Sequence, residues 1–131
     1  MPPWAALQLL RNVVRARRPR PSIRIRVEFG PGVAVGPAQI ALLEQIADRG
    51  SLSKAARALG VSYRTASLLL QSLNASFEDP MTIGRKGGSG RGGTLVTPLG
   101  CELIRQYRRF EQKSRGRAAS AFGALVKRRS S

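Results

Sequence analysis

The side chains best suited to chemistry in this sequence lie on one face of a predicted helix. They recur at the spacing of successive helical turns and are Tyr63, Arg64, Ser67, Leu68 and Gln71. Arginine can donate two hydrogen bonds to a guanine edge, glutamine can pair with an adenine edge, and a serine hydroxyl can serve either. Tyrosine and leucine offer apolar contact to thymine methyl groups. This face therefore predicts direct base contacts in the major groove of DNA.

A helix-turn-helix motif would present that face. The segment that carries it, residues 50–74, is GSLSKAARALGVSYRTASLLLQSLN. Ser51 can cap a short helix over residues 52–59, and Ser62 can cap the next helix. Gly60 can end the first helix in a left-handed conformation, and the short connection makes the two helix axes cross steeply. The apolar stripe predicted for the second helix is Ala66, Leu69, Leu70, Leu73 and Phe77.

Groups that can bind phosphate are predicted within this motif and in the segment that follows it. Residues 81–85 and 94–97 are short segments with β-branched side chains, and they are joined by KGGSGRGG at 86–93. Because five of these eight residues are glycine, we expect a hairpin loop, or wing, that can follow a DNA backbone. The predicted backbone contacts are Ser51, Ser53, Lys54 and Ser62 on the helices, with Lys86 and Arg91 on the wing.

Three further elements are predicted to frame the motif. Residues 22–30, SIRIRVEFG, alternate apolar and charged side chains, as an amphipathic edge strand does. Pro37 begins a core helix that ends at Gly50. Thr97 caps a long helix that begins at Pro98. The buried faces are predicted to hold Ile40, Leu43, Ile46 and Ala47 on the first helix, and Leu99 and Leu103 on the second.

These elements predict a mainly α fold of the α+β class: a winged helix-turn-helix with a two-stranded wing, an N-terminal edge strand and a long C-terminal helix. One recognition helix contacts only a few base pairs, so a homodimer on a pseudo-palindromic site is expected. The edge strand and the outer part of the long helix could each pair across a two-fold axis. The predicted dimer interface is Ile23, Ile25, Val27, Tyr107 and Phe110.

The order of these motifs resembles a known family from about Ile23 to Phe110. The resemblance is to the DNA-binding domain of ModE-type molybdate-responsive regulators, whose winged helix-turn-helix is related to that of LysR-type regulators. It is carried by the run at 42–66, LLEQIADRGSLSKAARALGVSYRTA, by Asn74, by the glycine-rich wing and by VTPLG at 96–100. It implies a bacterial DNA-binding module in which the long helix builds a dimer.

The same resemblance has two limits. In this family a tryptophan often follows the alanine of SYxxA, whereas this sequence has Ser67 there, so the family's operator sequence is not carried over. ModE proper continues into molybdate-binding domains, and this sequence ends at Ser131. The resemblance therefore implies a DNA-binding module without those domains, and molybdate is not an expected ligand.

Composition excludes several other classes of protein. The sequence has no histidine and a single cysteine, Cys101, so zinc fingers, catalytic triads with histidine and intrachain disulfides are excluded. Its seven carboxylates form no pattern typical of hydrolytic catalysis. No apolar run is long enough to span a membrane. We therefore expect no enzyme, no metal, no cofactor and no membrane partner, and a cytoplasmic protein on the nucleoid.

The formal charge of +16 is unevenly distributed. Residues 1–27 hold seven arginines and no acid, which gives +7. Residues 28–111 hold ten basic residues against seven acids, which gives +3. Residues 112–131 hold six basic residues and no acid, which gives +6. The predicted organisation is a basic, unstructured extension over 1–21, the winged domain over 22–112, and a basic tail over 113–131.

Two other functions fit the sequence besides a dimeric, sequence-specific transcriptional regulator. The basic arms would attract any nucleic acid through release of counterions, as in a non-specific nucleoid protein. The fold could also serve as a partner-interaction module that does not contact DNA, because a fold does not by itself determine a function.

Overall fold

The computed structural model describes residues 20–85 and 92–130, which form two units. One is Arg24–Phe110, and the other contains the described residues outside that range. The elements in chain order are β1 (Val27–Gly30), β2 (Val33–Val35), α1 (Pro37–Arg49), α2 (Leu52–Leu59), α3 (Tyr63–Ala75), β3 (Thr82–Arg85), β4 (Gly93–Val96) and α4 (Pro98–Val126). Both sheets are two-stranded antiparallel hairpins, β1–β2 and β3–β4. The fold is a winged helix-turn-helix, as predicted.

The core of the Arg24–Phe110 unit lies between the first three helices. Its largest fully buried side chains are Val35, Ile40, Leu42, Leu43, Ile46 and Met81. The predicted inner face of α1 was right at three positions, but Ala47 is exposed and Leu42 is buried instead. Helix α1 contacts α2, α3 and β4 at once, so its buried face is wider than one helical stripe. This wider face includes Leu42.

The helix-turn-helix begins and ends where the sequence predicts. The Ser51 hydroxyl accepts a hydrogen bond of 3.0 Å from the Lys54 amide, which satisfies an orphan donor at the start of α2. Gly60 ends α2 with φ = 70°, in the left-handed region that favours glycine. Ser62 caps α3 in the same way, by accepting from the Thr65 amide at 3.0 Å. These caps confirm the predicted bounds of α2 and the predicted start of α3.

The N-terminal strand differs from its prediction. The predicted edge strand over 22–30 is only β1, Val27–Gly30, and it pairs with β2 through the Pro31–Gly32 turn. Residues 23–26 keep the expected alternation of half-buried and exposed side chains but belong to no strand. An alternating pattern reports which side chains face the core, and Ile25 packs there without a neighbouring strand.

The β3–β4 hairpin, hereafter the wing, lies against the end of α1. The Thr94 amide donates to the carbonyl oxygen of Gly50 at 2.9 Å. A Cβ on Gly93 would lie 2.7 Å from that same oxygen, so only glycine permits this approach. The two predicted wing strands are thereby confirmed to within one residue, whereas Lys86 and Arg91 lie outside the described residues.

Helix α4 begins at the predicted position and extends farther than the predicted domain boundary. The Thr97 hydroxyl accepts from the Gly100 amide at 3.1 Å and so caps the first turn. A Cβ on Gly100 would lie 2.4 Å from the carbonyl oxygen of Met81, which explains the glycine in VTPLG. The helix continues to Val126, so most of the stretch assigned to a basic tail is helical. Glu111, just before that stretch, and Arg115 within it form an ion pair of 3.4 Å.

Candidate nucleic-acid interface

The five side chains predicted to contact bases all lie on the outer side of α3. Tyr63 and Leu68 are 60% and 56% exposed, which is unusual for large apolar side chains in a small domain. Arg64 and Gln71 are also exposed, and Ser67 is half-buried. The structure therefore brings these residues together on one accessible surface of a single helix.

The inner side of α3 holds this surface in place. Ala66, Leu70 and Leu73 are buried, in agreement with the predicted stripe, and Leu69 is partly buried. Phe77 was predicted on the same stripe, but α3 ends at Ala75, so Phe77 lies beyond the helix and is partly buried. On α2, Ala55 and Ala56 are buried, and their small side chains let the two helices approach closely. The ring of Phe77 meets that of Phe29 edge-on with centroids 5.2 Å apart, which links the end of α3 to the first hairpin.

Two residues of the exposed face are already hydrogen-bonded to each other. The Gln71 Nε2 group donates to the Ser67 hydroxyl at 3.3 Å, one helical turn back. This bond uses one amide hydrogen, so the second amide hydrogen and the carbonyl oxygen can still pair with an adenine edge. Ser67 thus orients Gln71, a role that the sequence analysis did not assign to it.

The residues predicted to hold the DNA backbone are placed unevenly. Ser53 and Lys54 are exposed in the first turn of α2, with free access to solvent. The Ser62 hydroxyl both accepts from the Thr65 amide and donates to the Thr65 hydroxyl at 2.9 Å, so its hydrogen is used inside the helix cap. Among the described residues, two further exposed cations lie on elements next to α3 in the sequence. They are Arg57 on α2 and Arg85 at the end of β3. Their nearness to the predicted motif and wing was the signal that could have found them.

Asn74 joins the end of α3 to the wing. Its Oδ1 atom accepts from the amides of Met81 and Thr82 at 2.9 and 3.2 Å. Its Nδ2 group donates to the Thr82 hydroxyl at 3.0 Å. In the sequence, Asn74 stands out only as a residue of the family resemblance, because no local pattern shows a bond between residues eight positions apart.

The predicted dimer residues divide into two groups. Tyr107 is only 5% exposed, and its hydroxyl donates to the carbonyl oxygen of Ile25 at 2.7 Å. Both residues therefore contact each other within one chain. Phe110 is 58% exposed, and Ile23 and Val27 are half-buried. Of the predicted set, Phe110 offers the largest accessible apolar side chain.

The electrostatics of the rest of the described surface are simple. On α4, a hydrogen bond from Gln106 and then the contact with Arg105 hold the pKa of the exposed Glu102 carboxyl below its ordinary value. Arg108 makes a bidentate contact with Glu44, which ties α4 to α1. In the described ranges 20–85 and 92–130 there is no cluster of three metal-ligating side chains. No helix in these ranges is long and apolar enough to cross a membrane.

The fold and this surface agree with what the chain resembles. Residues 37–101 match the model of the bacterial regulatory helix-turn-helix proteins of the LysR family. These residues, from the start of α1 to the first turn of α4, form a LysR-type helix-turn-helix domain. A solved structure of the CbnR DNA-binding domain in complex with DNA superposes with a TM-score of 0.51 at 21% identity, over 68% of this chain and 95% of the other. That likeness supports the winged fold.

The curated relatives are molybdenum-related proteins that are longer than this chain. The molybdenum-pterin-binding protein MopB of Rhodobacter capsulatus is 38% identical over 80 residues, 61% of this chain and 30% of that protein. The molybdenum transport protein ModE of Azotobacter vinelandii is 31% identical over 88 residues, 67% of this chain and 33% of that protein. The DNA-binding transcriptional dual regulator ModE of Escherichia coli K12 is 37% identical over 71 residues, 54% of this chain and 27% of that protein. The chain spans about a third of the length of these relatives. The sequence identity over the matched region confirms the ModE-like resemblance for that region.

Proposed function

We propose that this protein is a sequence-specific, DNA-binding transcriptional regulator of the ModE/LysR-like type. The observation that carries the proposal is the outer face of α3, where an arginine, a glutamine and two large apolar side chains are exposed on a helix held by caps and a buried stripe. Exposure of the Tyr63 and Leu68 side chains to water is unfavourable. Contact with thymine methyl groups in a major groove would remove this apolar surface from water, which is favourable. DNA binding is also what the names of the Escherichia coli regulator ModE and of the CbnR complex state for those proteins.

Within this proposal each group of residues has its own role. Arg64 pairs with a guanine, and Gln71 pairs with an adenine while Ser67 orients it. Tyr63 and Leu68 contact thymine methyl groups. Ser51, Ser53 and Lys54, with Lys86 and Arg91 on the wing, contact phosphates and so fix the register of the helix without selecting a sequence. The Ser62 hydroxyl hydrogen is used in the cap of α3, so Ser62 does not belong to this set.

The proposal includes the form and place in which the protein acts. It is a homodimer in which Phe110 is the leading interface residue, because it is the exposed aromatic among those predicted. It acts in the cytoplasm, on the nucleoid, and catalyses no reaction. The LysR-type domain over residues 37–101 belongs to a family of bacterial regulatory helix-turn-helix proteins. We extend the regulatory, non-catalytic role of that domain to the whole chain.

A second candidate function rests on the charge distribution. Residues 1–27 and 112–131 carry +7 and +6, against +3 for residues 28–111. Such flanks bind any polyanion with a strong dependence on salt. This observation favours a nucleoid-like protein that coats DNA without selecting a sequence.

Selection of DNA sites from a random pool by the full chain separates the two functions. A regulator enriches a motif, and Arg64→Ala then costs about 1–3 kcal/mol at that motif and relaxes the preference at one base pair. Lys54→Ala is the matched control, because loss of a phosphate contact weakens binding to all sequences alike. Failure of the wild-type chain to enrich any motif would reject the regulator and favour the nucleoid-like protein.

A further inference from the structure

We infer that Asn74 and Thr82 form a clasp that positions the wing relative to the recognition helix, so that both elements meet the DNA as one unit. This inference rests on the proposed function. The clasp joins the last full turn of α3 to the first residue of β3, which are the two elements that carry the proposed base and phosphate contacts. Asn74 and Thr82 touch no base or phosphate themselves in this proposal and are positioning residues.

The geometry of the clasp constrains the wing on three atoms. Oδ1 of Asn74 accepts from two successive backbone amides, those of Met81 and Thr82, and Nδ2 donates to the Thr82 hydroxyl. Three bonds from one side chain fix both the position and the direction of the strand that follows. Because Met81 and Thr82 are 1% and 5% exposed, solvent offers these amides little replacement for Asn74.

The other side of the same short segment is held by the start of α4. The Thr97 hydroxyl donates to the carbonyl oxygen of Pro80 at 2.8 Å, and the Thr97 amide donates to that of Met81 at 2.9 Å. The close approach of Gly100 to Met81 leaves no room for the segment to move toward α4. A change in the angle of the wing would therefore have to break the bonds to Asn74 as well as the bond from the Thr94 amide to the Gly50 carbonyl.

A fixed wing angle matters for the proposed DNA binding because the wing strands lead into the segment that carries the proposed phosphate-binding cations. Lys86 and Arg91 follow β3 and precede β4, so the direction of these strands determines where phosphates could be reached. A wing that is already oriented loses less conformational entropy on binding. Loss of the clasp should therefore weaken the wing's contribution while the contacts of α3 remain.

The test uses the full chain on its selected DNA site, with hydroxyl-radical protection of the DNA and the salt dependence of affinity as readouts. For Asn74→Ala we expect reduced protection of the flanking phosphates and a fall of up to about 1.8 in the slope of log affinity against log salt, the value for two phosphate contacts. The base preferences assigned to Arg64 and Gln71 should stay as in wild type. Ser76→Ala is the matched control, because it removes the hydrogen bond from Ser76 to the Ser72 carbonyl at the same helix end without touching the wing.

A second pair of variants keeps the inference testable if Asn74→Ala fails to fold. Thr82→Val removes the hydroxyl that accepts from Asn74 and should lower the salt slope, whereas Thr82→Ser keeps the hydroxyl and should restore it. If the wild-type chain selects a site but Asn74→Ala and Thr82→Val leave the flanking protection and the salt slope unchanged, the inference is overturned and the proposed function is not. A wild-type chain with no selected site would instead overturn the proposed function, and the inference with it.

Discussion

The winged domain and the chain on either side of it differ more in charge than in any other property. Residues 28–111 carry +3 and present a mixed surface of apolar, hydroxyl and amide groups on α3, whereas the 27 residues before and the 20 after carry +13 and no acid. A surface of the first kind discriminates between base edges, and a segment of the second kind attracts phosphates wherever they are. We therefore expect selectivity and non-selective affinity to depend on different parts of this chain.

A core substitution should separate the two contributions most strongly. Leu43 is fully buried, so Leu43→Ala should lower the free energy of unfolding by about 2–5 kcal/mol through lost burial and a cavity. At a temperature between the unfolding midpoints of wild type and variant, the variant should lose selective binding and keep binding to random DNA. Circular dichroism and a filter-binding assay at the same temperature measure both quantities.

The control for this substitution is Leu125→Ala on α4. Leu125 is 60% exposed, so removing its side chain should change the midpoint little. If selective and random binding fell together in Leu43→Ala, the folded domain would also supply the non-selective affinity, and the proposed division would be wrong.

Neutralisation of the C-terminal cations tests the other side of the comparison. Lys127, Arg128 and Arg129 are exposed, so their joint replacement by glutamine should lower the salt slope for random DNA by up to about 2.7. The ratio of affinities for the selected site and for random DNA should stay nearly constant. A large change in that ratio would show that these cations contribute to selectivity. Titrations over a range of salt concentrations measure both the slope and the ratio.

The smallest expected effect concerns one hydrogen bond on the exposed face. Ser67→Ala removes the acceptor of Gln71 Nε2 and should relax the preference for adenine by on the order of 0.5–1.5 kcal/mol at a single base pair. Ser67→Thr keeps a hydroxyl and serves as the control. In the Gln71→Ala background the Ser67 substitution should have no further effect at that base pair. Equal effects of Ser67→Ala with and without Gln71 would mean that Ser67 contacts DNA independently.

Local chemistry explains which elements could be predicted. The caps at Ser51 and Ser62 and the left-handed Gly60 act within four residues of themselves, so their types and spacing determine the bounds of α2 and the start of α3. The outer face of α3 follows from the same helical period. The glycine-rich stretch likewise marks the wing between two β-prone segments. Each of these features depends only on neighbours in the chain.

Long-range packing explains the features that the pattern missed. The choice of Leu42 over Ala47 for the core depends on three elements packing on α1 at once. Alternation over 23–29 reports burial, but only the fold shows that Ile25 packs on the core outside any strand while Val27 pairs with Val35. Tyr107 was predicted at a surface between two chains, whereas its hydroxyl binds the Ile25 carbonyl 82 positions away in the same chain.

By itself, the sequence determined the helix-turn-helix, the wing, the exposed face of α3 and the uneven distribution of charge, because caps, periodicity and composition are local properties. Only the tertiary structure decided how those parts are joined. It placed Asn74 against Met81 and Thr82, Gly93 against the end of α1, and Gly100 against Met81. Hydrogen bonds and close contacts of this kind need both partners in space, and no spacing along the chain specifies which distant residue will be the partner.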